Sequence, residues 1–246
     1  MGCVIRGILS PTWSSIATMD IDPRSILQPP LFVFGEAVTG TVELFPAVWS
    51  ATEALAAPDV ASRSQGIDRL LELEAPRLSP LVAYMLASRL SDPDVYIRRR
   101  VVYILGDLLV PDAQGRVAPE SVRRYVTAYL SQMRNRSIFN LLEVAVNDPQ
   151  AEKSICQLLN ASPYAGRHLA DILIERKNPL LIRQNAVRFI GLVGYLDALP
   201  VLERMLSRLE ARQHGQQAMS FAPPTTPSEE DFLPYLHEAI KNLRAP

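Results

Sequence analysis

The chain lacks most of the features that would mark a secreted, metal-bound or membrane-embedded protein. Its two cysteines, Cys3 and Cys156, form no CxxC or Cys/His pattern. No disulfide framework or zinc site is therefore expected, and a reducing compartment fits best. No stretch approaches the roughly 18 consecutive apolar residues of a membrane helix, so no membrane insertion is expected. Charge of either sign is also missing in excess: 25 Lys+Arg stand against 26 Asp+Glu. No global field would draw the molecule onto nucleic acid or anionic lipid, and any electrostatic role must be local.

Glycine is scarce, with 11 residues in 246, and the chain contains no P-loop, GxGxxG or GxSxG. Little loop is left to cradle a phosphate or present a nucleophile. His168, His214 and His237 stand apart, without HExxH or comparable ligand spacing. The expectation is no catalytic residue, no metal and no cofactor. Lysine is nearly absent, only Lys153, Lys177 and Lys241 among the 25 basic residues, a bias that points to a GC-rich, bacterial genome. The opening MGCVIRGILSPTWSSIATMD is a poor secretory signal, and Arg6 stands where the myristoylation pattern needs Ser or Thr. Met19 is the expected start, with residues 1–18 untranslated or disordered and the protein cytoplasmic.

What is present is a helical pattern. From about residue 47 onward, apolar residues recur at three- and four-residue spacing, as in Ile97, Val101, Ile104, Leu105 and Leu108, and again in Ile182, Ala186, Phe189, Ile190 and Val193. That period is the buried stripe of an amphipathic helix, and strand signals are absent from this region. Asp92-Pro93, Asp148-Pro149, Ser162-Pro163 and Asn178-Pro179 each set a capping residue before a proline, which predicts four helix starts. Residues 1–46 are expected to form an irregular or capping N-terminal segment. Within it, residues 20–46 read either as a small hairpin, from LFVF and VTGTVEL, or as a degenerate helix. A Pro/Thr/Gln-rich loop is expected at about 214–227, before a helix whose first turn holds Glu229, Glu230 and Asp231.

Laying DVYIRRRVVYILGDLL over PLLIRQNAVRFIGLVG pairs Ile97 with Ile182, Arg98 with Arg183, Ile104 with Phe189 and Gly106 with Gly191, at an offset of 85 residues. DVASRSQGIDRLLEL is a weaker third copy, with Arg63 in the arginine register and Gly66 at a small-residue position. Each copy follows another predicted helix, so the unit is a helix pair. Between the two clear copies, PESVRRYVTAYLSQM and RSIFNLLEVAVND are expected to form a further pair, with PQAEKSICQLL as an extra helix.

On these residues the chain resembles the HEAT repeat family, whose units of about 40 to 47 residues are antiparallel helix pairs. The resemblance spans roughly residues 47–244. It implies an all-α, right-handed α-solenoid of about five helix pairs, with the second helices lining a concave face. Under it, Arg63, Arg98, Arg183, Gly106 and Gly191 are structural residues of the repeat, the arginines bonding turn carbonyls or a turn Asp.

Arg99 and Arg100 have no counterparts in the other copies. With Tyr103 and Arg188, the resemblance points them into the groove, where they are the expected partner-binding residues. Between residues 94 and 140, eight arginines face only four carboxylates, a modest basic zone. The expected function is a non-catalytic scaffold or adaptor that binds another protein. The alternative is a nucleic-acid-binding module using residues 98–136. More remote are a bilin-lyase-like enzyme and a DNA-glycosylase-like one, the latter disfavoured because Trp13 and Trp49 lie outside the groove helices.

Overall fold

The computed structural model describes residues 41–213 and 231–245, the side chains from Pro46 onward except that of Gln213. These residues belong to the second of two compact units of the chain, Gly40–Pro246. The expectations for residues 1–40, for the loop at 214–227 and for Glu229 and Glu230 fall outside them. Among the described residues the protein is all-α, with twelve α-helices and no strand. Thr41–Phe45, which read either as strand or as helix, are helical.

The first half contains α1 (Thr41–Ala54), α2 (Val60–Glu72), α3 (Ala75–Leu78), α4 (Pro80–Ser88), α5 (Val95–Leu109) and α6 (Glu120–Ser131). The second half contains α7 (Asn135–Asn147), α8 (Glu152–Asn160), α9 (Ala165–Ile174), α10 (Leu180–Val193), α11 (Leu199–Gln213) and α12 (Leu233–Arg244). Single 3₁₀ turns at Arg89–Ser91, Pro149–Ala151 and Leu196–Ala198 lead into α5, α8 and α11.

The capping prolines act less uniformly than their spacing suggests. Asp94, two residues beyond Asp92, caps α5 by accepting from the backbone N–H groups of Tyr96 and Ile97. Asp92 is itself buried. Asp148 caps the short 3₁₀ turn through Gln150. Asn178 turns back and donates to the carbonyl of Ile172. Proline fixes the chain direction at these turns, and which oxygen reaches an orphan N–H depends on how the preceding helix arrives.

Five helices pack side by side in the order α2, α5, α8, α10, α12. Against them lie α1 on α2, α4 on α5, α7 on α5 and α10, α9 on α10, and α11 on α12. The apolar stripes meet in one continuous core running from Ala51 and Leu55 through Ile97, Leu105, Leu142, Leu158 and Ile190 to Ile240 and Leu243.

One pairing differs from the sequence expectation. α8, expected as an extra helix, packs in series between α5 and α10, whereas α6 takes α4 as its main partner. The burial patterns explain the exchange. α6 buries only the narrow stripe Val122, Val126 and Leu130, and it packs mainly on α4. α8 buries Ser154, Ile155, Leu158 and Leu159, a wider sector that fits between two neighbours.

Close approach between helices in this series depends on missing side chains. A Cβ on Gly106 would come within 2.8 Å of the Ser154 Cβ, and one on Gly191 within 2.6 Å of the Ala239 Cα. Gly106 thus admits α8 against α5, and Gly191 admits α12 against α10.

Candidate functional site

The α2-to-α12 series carries both classes of arginine singled out from the sequence. Arg63, Arg98 and Arg183 lie near the starts of α2, α5 and α10, each only 6% exposed. Arg63 Nη1 donates to the carbonyls of Ala57 (3.0 Å) and Pro58 (2.9 Å). Arg98 Nη1 donates to those of Asp92 (2.7 Å) and Pro93 (3.2 Å). Both sets lie six and five residues upstream, so the two side chains fold back over their turns in the same way. Arg183 reaches further back, its Nε donating to the Leu173 carbonyl at 2.8 Å. Its guanidinium carbon lies 4.8 Å from the centre of the Phe232 ring. A buried carbonyl without a donor is costly, and one fork of five N–H groups can serve several at once.

The forks also reach across units. Arg63 Nη2 donates to Asp92 Oδ1 at 3.0 Å, with Nε 2.9 Å from Oδ2. Arg98 Nη2 donates to Glu143 Oε2 at 2.8 Å. Asp92 therefore receives Arg63 on its carboxylate and Arg98 on its carbonyl. A polar chain runs from α2 through the α4–α5 turn into α5 and on to α7.

The four expected groove residues all have intramolecular partners. Arg100 donates to the Ser64 carbonyl (3.1 Å) and hydroxyl (2.7 Å) and pairs with the Asp68 carboxylate, tying α5 to α2. Tyr103 donates to Asp148 Oδ2 at 2.9 Å. Burial and that carboxylate raise its phenol above the ordinary tyrosine range. Arg99 lies 3.9 Å from the same Asp148 oxygen and over the Tyr96 ring at 5.1 Å. Arg188 pairs with the Glu152 carboxylate, tying α10 to α8. The side chains of Arg99 and Arg188 remain 41% and 45% exposed, that of Arg100 only 17%.

The basic zone changes character for the same reason. Asp68, Asp148 and Glu143, which answer Arg100, Arg99 and Arg98, all lie outside the window 94–140 in which the excess was counted. Arg116 is matched within it by Asp112 at 2.9 Å. Arg124, Arg134 and Arg136 are exposed, and Arg136 rests near the Phe139 ring. A linear charge count could not see these acceptors, because they enter from neighbouring helices. The Asp before Pro at residue 148 was the one signal that could have picked out one of them, Asp148.

Among the described residues no group of three or more His, Cys, Asp or Glu side chains could hold a metal ion. No helix there is long and apolar enough to cross a membrane. His237 is exposed, with Nε2 3.6 Å from Glu210. Trp49, on α1, is exposed and donates its Nε1–H to Glu53. Cys156 on α8 is half-buried. Burial, with the Glu152 carboxylate beside it, pushes its thiol up to about 11, the opposite of what a reactive cysteine needs. Compared with family models, with curated proteins and with solved structures, the chain finds no match.

Proposed function

We propose that the chain is a HEAT-like α-solenoid that acts as a non-catalytic scaffold or adaptor, binding another protein along the surface formed by α2, α5, α8, α10 and α12. One observation carries this reading: these helices lie in series, with Arg100–Asp68 tying α5 to α2, Tyr103–Asp148 tying α5 to the turn before α8, and Arg188–Glu152 tying α10 to α8. Such cross-ties hold an extended surface in one shape before a partner arrives, which lowers the ordering cost of binding. Tyr96 and Arg99 near the start of α5, and Leu181 and Leu192 on α10, leave aromatic, basic and apolar groups exposed on it. Tyrosine and arginine are the residue types that dominate protein interfaces.

Within the zone 98–136, Arg98, Arg99, Arg100 and Arg116 are already matched by carboxylates and offer little to phosphates, which leaves Arg124, Arg134 and Arg136 as the exposed arginines a nucleic acid would use. Affinity capture with the full chain, compared between wild type and Tyr96→Ala/Arg99→Ala, tests the proposal. A stoichiometric protein partner lost in the variant is the expected result. Titration with single- and double-stranded DNA and RNA tests the alternative. Tight binding that weakens by orders of magnitude between about 50 and 200 mM salt would replace the protein-scaffold reading.

A further inference from the structure

An open cleft of about 260 Å³ lies where the end of α9 and the start of α10 meet α11. Four arginines line it: Arg176 from the α9–α10 turn, Arg183 from α10, and Arg204 and Arg208 from α11. Ile174, 58% exposed, and the half-buried Val201 add apolar surface. Among the described residues no carboxylate lines the cleft, and those of the same elements are placed elsewhere. Glu175 accepts from the backbone N–H of Lys177, Glu203 pairs with Arg244, and Glu210 lies 3.6 Å from His237. Asp171 and Asp231 are exposed outside the cleft.

Arg204 and Arg208 supply the uncommitted donors. Arg204 engages only its Nε, which donates to the Pro200 carbonyl of its own helix at 3.1 Å. Arg208 has no hydrogen bond, ion pair or ring contact among the described residues. The two stand one turn apart on α11, where like charges oppose each other. That helix separates its charges by sign: Glu203 and Glu210 meet α12, whereas Arg204 and Arg208 meet the cleft. Arg183, 6% exposed, is fixed in the wall by the Leu173 carbonyl and the Phe232 ring. A concave surface lined by charge of one sign focuses its field, and a guanidinium fork matches the two oxygens of a carboxylate.

From this juxtaposition we infer that the cleft docks an acidic, amphipathic segment of the protein partner. Its Asp or Glu side chains take the free guanidinium nitrogens of Arg204 and Arg208, and an apolar neighbour covers Ile174 and Val201. The inference rests on the protein-partner reading and names the chemistry of the partner. A cationic segment would meet like charge along the whole cleft and is disfavoured. The phosphates of a nucleic acid would meet the same arginines but leave Ile174 uncovered.

Selection of a random dodecapeptide display library on the immobilised full chain tests it, followed by fluorescence polarisation with the enriched peptides on wild type and two variants. One is Arg204→Gln/Arg208→Gln; the control is Arg124→Gln/Arg136→Gln, at exposed arginines that do not line the cleft. Enriched sequences should combine Asp or Glu with Leu, Ile or Phe. Their affinity should fall about tenfold or more in Arg204→Gln/Arg208→Gln and stay near wild type in the control, which removes the same net charge. All four substituted arginines are exposed, so both variants should melt with the wild type, which separates lost binding from lost folding. Should Arg204→Gln/Arg208→Gln melt lower, Arg208→Gln alone serves as the binding-deficient variant. Enrichment of basic or uncharged peptides, acidic peptides that bind Arg204→Gln/Arg208→Gln as tightly as wild type, or equal losses in both variants would overturn the inference while leaving a protein partner in place. Tight DNA or RNA binding lost in Arg204→Gln/Arg208→Gln, with no binding of acidic peptides, would overturn it in favour of phosphates. An absence of any enrichment over blank support would also overturn it, and the affinity capture would then decide the scaffold reading separately.

Discussion

Arg63 and Asp92 face each other across the interface of two helix pairs, with side chains 7% and 1% exposed and nitrogen–oxygen distances of 2.9 and 3.0 Å. The pair links residues 29 apart in sequence, and it is the most deeply buried ion pair among the described residues. Removing one partner leaves a buried charge without compensation. Asp92→Ala should therefore cost about 3–5 kcal/mol, and Arg63→Met/Asp92→Leu less than the sum of the single changes. Urea unfolding of the cycle checks this, and additive losses would show that the two side chains act independently.

The two classes of arginine should separate in the same assay. Arg98→Ala and Arg183→Ala should each destabilise by about 1–3 kcal/mol, because buried carbonyls lose their donor. Arg99→Ala should stay within about 0.5 kcal/mol, its ion pair being long and partly solvated. Arg100→Ala belongs between them, since its Ser64 contacts are largely shielded whereas Asp68 is exposed. Thermal melts in the reverse order would break the register that aligns residues 98 and 183.

The helix contacts at the two glycines predict different rescue behaviour. Gly106→Ala would strike the Ser154 side chain, whereas Gly191→Ala would strike the Ala239 backbone. Each should cost about 1–3 kcal/mol through forced separation of helices. Ser154→Gly should recover part of the first loss, and Ala239→Gly should not recover the second. Equal rescue by both, measured by calorimetry, would contradict the distances.

Cys156 should be a poor nucleophile. With its thiol pushed up to about 11 against an ordinary 9.0, its thiolate fraction at pH 8 falls by about a hundredfold. Alkylation by iodoacetamide, followed by peptide mapping to separate Cys156 from Cys3, should run slower than on a reference thiol by about that factor. It should also rise roughly tenfold per pH unit while the fold persists. A rate equal to the reference at pH 8 would mean that α8 opens readily.

What the sequence determined by itself is the local part of this protein. Helical character follows from the three- and four-residue spacing of apolar side chains, because that spacing places them on one face of an α-helix whatever the helix meets. The shared register of Arg63, Arg98 and Arg183 is visible for the same reason, as each lies a fixed distance from its turn. Tertiary structure decided which helices become neighbours, and with that every partner of a charged side chain. α6 and α8 each read as an amphipathic helix, and only the width of the buried sector in three dimensions puts α8 in the series and α6 beside α4. Arg100 reads as an exposed cation until α2 brings Asp68 from 32 residues away, and Tyr103 reads as exposed until the turn before α8 brings Asp148 from 45. Charges act through space over a few ångströms, so their balance is a property of packed neighbours. Periodicity along the chain carries no record of it.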